Sequence, residues 1–181
     1  MTLAQDLTVQ PNLISASDHV RGNPDAPVTL IEYGEFECPH CGRAYHSIKQ
    51  VLEEAAGDVR FVFRHFARDE VHPFAERSAL AAEAAGSQGR FWEMHDFLFE
   101  RQHQLEYDDL ARHAAELGLD VERFNREVVE REHLATVREH LALGHEGGVT
   151  ETPTFFINGV KYLGSYDADA LLAAIRGQLV S

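Results

Sequence analysis

The stretch Val28-Thr29-Leu30-Ile31-Glu32-Tyr33-Gly34-Glu35-Phe36-Glu37-Cys38-Pro39-His40-Cys41 decides how this chain is read. Its first four residues are an apolar run rich in strand formers. After the second cysteine, residues 43–56 place Ala44, Ile48, Val51, Leu52 and Ala55 on one helical face. The two cysteines therefore fall where a strand turns into a helix. The first turn of a helix has unpaired N–H groups and the positive end of the macrodipole. A thiolate at Cys38 is stabilised there, with an expected pKa of about 3.5–7.5 against about 8.5 for a free thiol. Pro39 suits the first turn, where a missing N–H costs nothing. Cys41 follows one turn later on the same face, within reach of a disulfide. His40 can lend the thiolate charge or a hydrogen bond.

The size of this effect sets a redox direction. A Cys38 pKa of ~5 stabilises the dithiol form by ~2.7 kcal/mol at pH 7 relative to an ordinary thiol. For a two-electron couple that is about 60 mV towards a stronger oxidant. Other readings of a cysteine pair fit less well. These are the only 2 cysteines in 181 residues, whereas a stapled secreted scaffold uses more, spread along the chain. Structural zinc needs about four ligands, and His65 and His72, seven apart, do not have the x3–5 spacing of a second ligand pair. Attachment of c-type haem needs His directly after the second cysteine, where Gly42 stands. An inert pair of core thiols remains as the alternative.

Further along, Val59-Arg60-Phe61-Val62-Phe63-Arg64-His65 alternates like a strand, which completes a βαβ unit with a parallel sheet. Residues 73–144 then change to Ala, Glu, Leu, Arg and His at helical spacing, with helices expected over 73–86, 89–102, 107–117, 121–130 and 132–143. The sheet resumes with Thr154-Phe155-Phe156-Ile157, an Asn158-Gly159 hairpin turn and Val160-Lys161-Tyr162-Leu163. A last helix is expected over 167–179. Thr152-Pro153 opens the third of these strands, where proline avoids losing a ladder hydrogen bond.

These features resemble the DsbA-like thiol–disulfide oxidoreductases of the thioredoxin superfamily. Three carry the likeness: Cys38-Pro39-His40-Cys41 after a strand, the long helical segment, and Thr152-Pro153-Thr154-Phe155-Phe156-Ile157-Asn158-Gly159. Residues 24–34 are also similar to bacterial thioredoxin domains, both stand-alone and fused to sodium–proton antiporters. The resemblance implies an α/β thioredoxin fold as a single domain over 1–181. Its core would span about 18–66 and 149–181, with a helical insertion over 67–148. It implies a redox-active Cys38–Cys41 disulfide and no other cofactor or metal. Cys38 would be the exposed attacking cysteine and Cys41 the buried resolving one. Pro153 would be cis and lie against the disulfide, with Glu151 and the Thr152 backbone meeting a substrate strand by edge pairing. Glu32 would sit beneath Cys41 and accept its proton.

The implied partners are protein thiols or disulfides and a redox partner that recycles the site, with the chain itself a monomer. Two other functions fit the same fold: a non-catalytic binding module or holdase, and a glutathione-dependent isomerase or transferase. The intact cysteine pair counts against the last. Glu35 and Glu37 flank the motif, and negative charge close to Cys38 would weaken the oxidant. The first 17 residues lack a basic start and an unbroken apolar stretch, so the chain as written reads as cytoplasmic, or as extracytoplasmic with an export sequence removed.

Composition narrows the rest. The 30 acidic residues exceed 16 Lys and Arg for a net charge of −14, which repels phosphate backbones and argues against nucleic acid. No apolar run approaches the roughly 18–20 residues that span a bilayer. The histidines at 95, 103, 113, 133, 140 and 145 lie in charged helical surroundings and are expected at the surface. The cluster Phe91, Trp92, Met94, Phe97, Leu98 and Phe99 is expected to pack in the core.

Overall fold

The computed structural model describes residues 14–180. Most of the N-terminal segment read for an export address lies outside them. The elements run β1 (His19–Gly22), β2 (Val28–Gly34), α1 (Pro39–Glu54), β3 (Val59–His65), α2 (Ala75–Gly86), α3 (Phe91–Glu100), α4 (Tyr107–Glu116), α5 (Val121–Val129), α6 (Leu134–Glu146), β4 (Thr154–Ile157), β5 (Val160–Tyr162) and α7 (Ala168–Leu179). Five strands form one sheet in the order β1-β3-β2-β4-β5. The β2–β3 pair is parallel and the others are antiparallel. The chain is thus a mixed α/β fold of thioredoxin type, with α2 to α6 inserted between β3 and β4.

Every residue of β2 is buried, as expected for a central strand with both faces covered. Alternation divides its side chains between two cores. Val28 and Leu30 join Phe61, Phe63, Phe155 and Ile157 against Ala44, Ile48 and Val51 of α1 and Leu171, Leu172 and Ile175 of α7. Ile31 and Tyr33 face the other way, with Val62, Phe66 and Phe156, against Leu141 and Leu143 of α6. The period of two puts Glu32 on the α1 side of the sheet, which is what positions it for chemistry. The hairpin between β4 and β5 turns at Asn158 and Gly159, with φ of 44° and 90°, the doubly positive geometry that favours this pair of residues.

Two features depart from the sequence reading. β1 was not anticipated. Its four residues, His-Val-Arg-Gly, carry one apolar side chain, and the strand exists because it pairs with β3 from Gly22↔Arg60 to His19↔Phe63. Three histidines expected at the surface are core residues: His95, His113 and His140 are all buried. Of the aromatic cluster, Phe91, Met94, Leu98 and Phe99 are in the main core and Trp92 packs against it, whereas Phe97 is half-buried and outside it. Among the described residues, no helix is long and apolar enough to cross a membrane.

Candidate active site

Cys38 caps the N-terminus of α1 in an extended conformation, and Pro39 takes the first helical position. Both cysteines are free thiols. Residues 151–153 approach from the start of β4, with a cis Thr152–Pro153 peptide bond. In its neutral form the Cys38 thiol donates to the Thr152 carbonyl, with Sγ 3.5 Å from the oxygen. Cys38 is 2% exposed and Cys41 0%. The expectation of an exposed attacking sulfur is therefore corrected: the loop of Thr152 and Pro153 covers it.

The thiols are driven apart in acidity. Cys38 is lowered to about 5, chiefly because the Cys41 thiol donates to it, against opposition from burial. The Thr152 side chain and the N–H groups of Cys41 and His40 add to the lowering. Thr152 Oγ1 is buried with no other partner among the described residues, so its hydroxyl is free to serve the thiolate once Cys38 ionises. Cys41 is pushed well up by burial, by its bond to Cys38 and by the Glu32 charge. Glu32 itself is raised to about 8 by burial, with the Cys38 charge adding.

His40 was expected to lend charge or a hydrogen bond, and its ring is engaged by Arg43 and Tyr166. Its Nδ1 lies 2.7 Å from an Arg43 guanidinium nitrogen and 3.0 Å from the Tyr166 hydroxyl. Arginine only donates, so His40 Nδ1 is the acceptor of this bond. The contribution of His40 to Cys38 comes through its backbone N–H. The two flanking acids are also engaged. Glu35 is buried, accepts from Arg68 N at 3.0 Å and pairs with His72. Glu37 accepts from Phe74 N at 2.7 Å. Both acids therefore tie the β2–α1 turn to the segment before α2.

Beside the motif lies an open groove of 680 Å³ walled by His40, Arg43, Thr152, Pro153, Tyr162 and Tyr166. Glu151 is exposed and lies on the same wall. The structure brings Cys38, Pro39, His40 and Cys41 at the start of α1 next to Thr152 and Pro153. The sequence reading missed Arg43, Tyr166 and His72, whose roles depend on neighbours distant in the chain.

One other cluster offers metal-ligand chemistry. His65, Glu83 and His140 are buried, with donor atoms within 4.8 Å of one another. Glu83 already accepts from His65 at 2.8 Å and from His19 at 3.0 Å, and is held far below the usual carboxylate range. His140 Nδ1 accepts from the His65 backbone N–H at 3.3 Å, and its Nε2 lies 3.5 Å from Asp18, which is bound to Arg64. Among the described residues these contacts form a buried hydrogen-bonded network beside the Arg64 guanidinium, in which His65 Nδ1 and His140 Nε2 have no hydrogen-bond partner.

The chain belongs to the thioredoxin family: the family model of that description matches residues 15–176. Its fold is that of the DsbA-like thiol–disulfide oxidoreductases of the thioredoxin superfamily. It superposes on oxidised BdbD from Bacillus subtilis with a TM-score of 0.83 at 24% identity, covering 91% of this chain and 94% of that one. A thioredoxin-like oxidoreductase from Silicibacter pomeroyi gives 0.82 at 27% identity, covering 92% and 95%. In sequence it is 45% identical over 158 residues to Na(+)/H(+) antiporter NhaA 1 of Salinispora arenicola, covering 87% of this chain and 24% of the antiporter. For NhaA 1 of Mycolicibacterium gilvum the figures are 43%, 88% and 26%. The chain spans about a quarter of the length of these curated relatives.

Proposed function

We propose that this chain is a protein thiol–disulfide oxidoreductase that exchanges a Cys38–Cys41 disulfide or dithiol with client proteins through a mixed disulfide at Cys38. The observation that carries the reading is the opposed acidity of the two thiols at one helix start, Cys38 low and Cys41 high. In the oxidising direction a client thiolate attacks Cys38 Sγ and the Cys38–Cys41 bond breaks. Cys41 leaves with the electron pair and takes a proton from Glu32, which is protonated below about pH 8. A second client thiolate then attacks the client sulfur of the mixed disulfide, and Cys38 leaves as a stable thiolate. The client gains a disulfide and the chain holds the dithiol. In reverse, Glu32 accepts the Cys41 proton as Cys41 attacks. The reading calls on no cofactor besides the cysteine pair.

The Thr152 backbone is suited to pair with an extended client segment lying in the groove, where Glu151, Tyr162 and Tyr166 meet its side chains. The test is catalysed oxidation of a dithiol peptide and reduction of insulin by the wild type, Cys38→Ser and Cys41→Ser. Loss of both activities in Cys38→Ser, with a trapped mixed disulfide in Cys41→Ser, is expected. Full activity in Cys38→Ser overturns the reading. A holdase would instead keep its protection of clients when both cysteines are replaced.

A further inference from the structure

Gln102 follows the end of α3, outside the cysteine motif and 61 positions beyond Cys41 in the chain (102 − 41). Its Nε2 donates to the Phe36 carbonyl at 2.8 Å and to the Cys38 carbonyl at 2.9 Å. The Cys38 carbonyl also accepts the first helical bond of α1, from Gly42 N at 3.1 Å. One side-chain amide from the insertion therefore grips both ends of the turn that delivers Cys38 to the helix. A neighbouring bond repeats the attachment: Tyr45 of α1 donates to Glu100, at the end of α3, at 2.8 Å.

Gly42 gives independent support. A Cβ at that position would stand 2.3 Å from Gln102 Oε1 and 2.9 Å from its Cδ, closer than real contacts allow. A side chain on the residue after the second cysteine would thus displace this amide from the place it now holds. In a helix interior glycine costs roughly 0.5–1 kcal/mol relative to alanine, so local helix stability argues against the residue that the contact needs.

We propose that Gln102 is a positioning residue for Cys38, by which the helical insertion sets the reactivity of the attacking sulfur. The proposal rests on the reading of Cys38 given above. Held by Gln102, the two carbonyl oxygens have their negative ends engaged by N–H donors instead of standing open beside the sulfur. The turn is fixed with the N–H groups of His40 and Cys41 serving the thiolate. Without the amide, the carbonyls must find water or turn, and the thiolate loses part of its support.

The experiment titrates Cys38 by thiolate absorbance and by alkylation rate, with thermal melting alongside, in wild type, Gln102→Ala, Gln102→Glu, Gly42→Ala and the Gln102→Ala/Gly42→Ala double variant. The apparent Cys38 pKa is expected to rise by about one unit in Gln102→Ala, which lowers alkylation about fivefold at pH 5. Gln102→Glu, which offers no N–H, is expected to rise at least as far. Gly42→Ala should reproduce the shift alone and add nothing in the double variant, since both act through one contact. A Gln102→Ala protein that melts lower but titrates like wild type overturns the proposal and leaves the function standing. An ordinary Cys38 thiol in the wild type overturns both. Additive shifts in the double variant would also refute it, by separating Gly42 from Gln102.

Discussion

Glu32 and Gly34 stand two residues apart on the same side of β2, and the second leaves the space that the first uses. A Cβ at position 34 would lie 3.0 Å from Glu32 Oε1 and 2.9 Å from the Phe63 ring. That carboxylate oxygen is buried and has no hydrogen-bond partner among the described residues. The acid is therefore kept in an apolar slot that disfavours its charge, and the pKa near 8 follows from that burial.

Glu32 should control the step in which Cys41 attacks the mixed disulfide. The rate of that step is expected to climb with pH through about 8 in wild type, as Glu32 becomes a base. In Glu32→Gln the inflection should vanish and the rate above it fall by about 10²-fold. Stopped-flow resolution of a preformed mixed disulfide reads both. An unchanged profile would remove Glu32 from the proton path.

The same group makes a stability prediction, with Cys38→Ser as background so that the thiolate does not offset it. A carboxyl raised from 4.5 to about 8 binds more protons folded than unfolded across that interval. Stability should therefore fall as pH rises above about 4.5, over the part of that shift that burial sustains without the Cys38 charge. Adding Glu32→Gln should flatten that slope in urea unfolding measured at several pH values.

The reduction potential should report which thiol is ionised. With Cys38 near 5 and Cys41 far higher, reduction takes up one proton above pH 5 and two below. The midpoint is expected to fall by about 30 mV per pH unit between pH 5.5 and 7.5, and by about 60 mV per unit below pH 5. Equilibration against glutathione over this range checks it. A slope of about 60 mV throughout would mean that Cys38 is an ordinary thiol.

Glu35 carries charge close enough to Cys38 for each to raise the other's proton affinity. Glu35→Gln keeps an acceptor for Arg68 N and removes that charge. It is expected to lower the Cys38 pKa and raise the midpoint by about 10–30 mV. A fall in midpoint would show that the Glu35–His72 pair supports the thiolate.

The parts of this molecule that could be read in its sequence are those written in local pattern. The apolar run of β2, the helical face of α1, the alternation of β3 and the Asn158-Gly159 turn each carry their geometry within a few residues. His95, His113 and His140 could not be read that way. Each lies in a helix crowded with charge, yet His95 packs edge-on against Phe63 and Phe99, and burial lowers it to about 4. Phe99 lies one turn on in the same helix, but nothing in that helix reveals that Phe63 of β3 closes against the imidazole. β1 was hidden for the same reason, since its strand character comes from β3. At the site, the cysteines and Thr152-Pro153 were legible as motifs. Gln102, Arg43 and Tyr166 were not, because a polar side chain at helical or loop spacing looks like any solvated residue until its partner is known.

With Cys38 only 2% exposed beside Thr152, the proposed exchange would favour a slack or newly made chain, which can thread one strand in, over a rigid, compactly folded protein. Selection among clients would then follow from how loosely they are folded, with no need to recognise any particular order of amino acids.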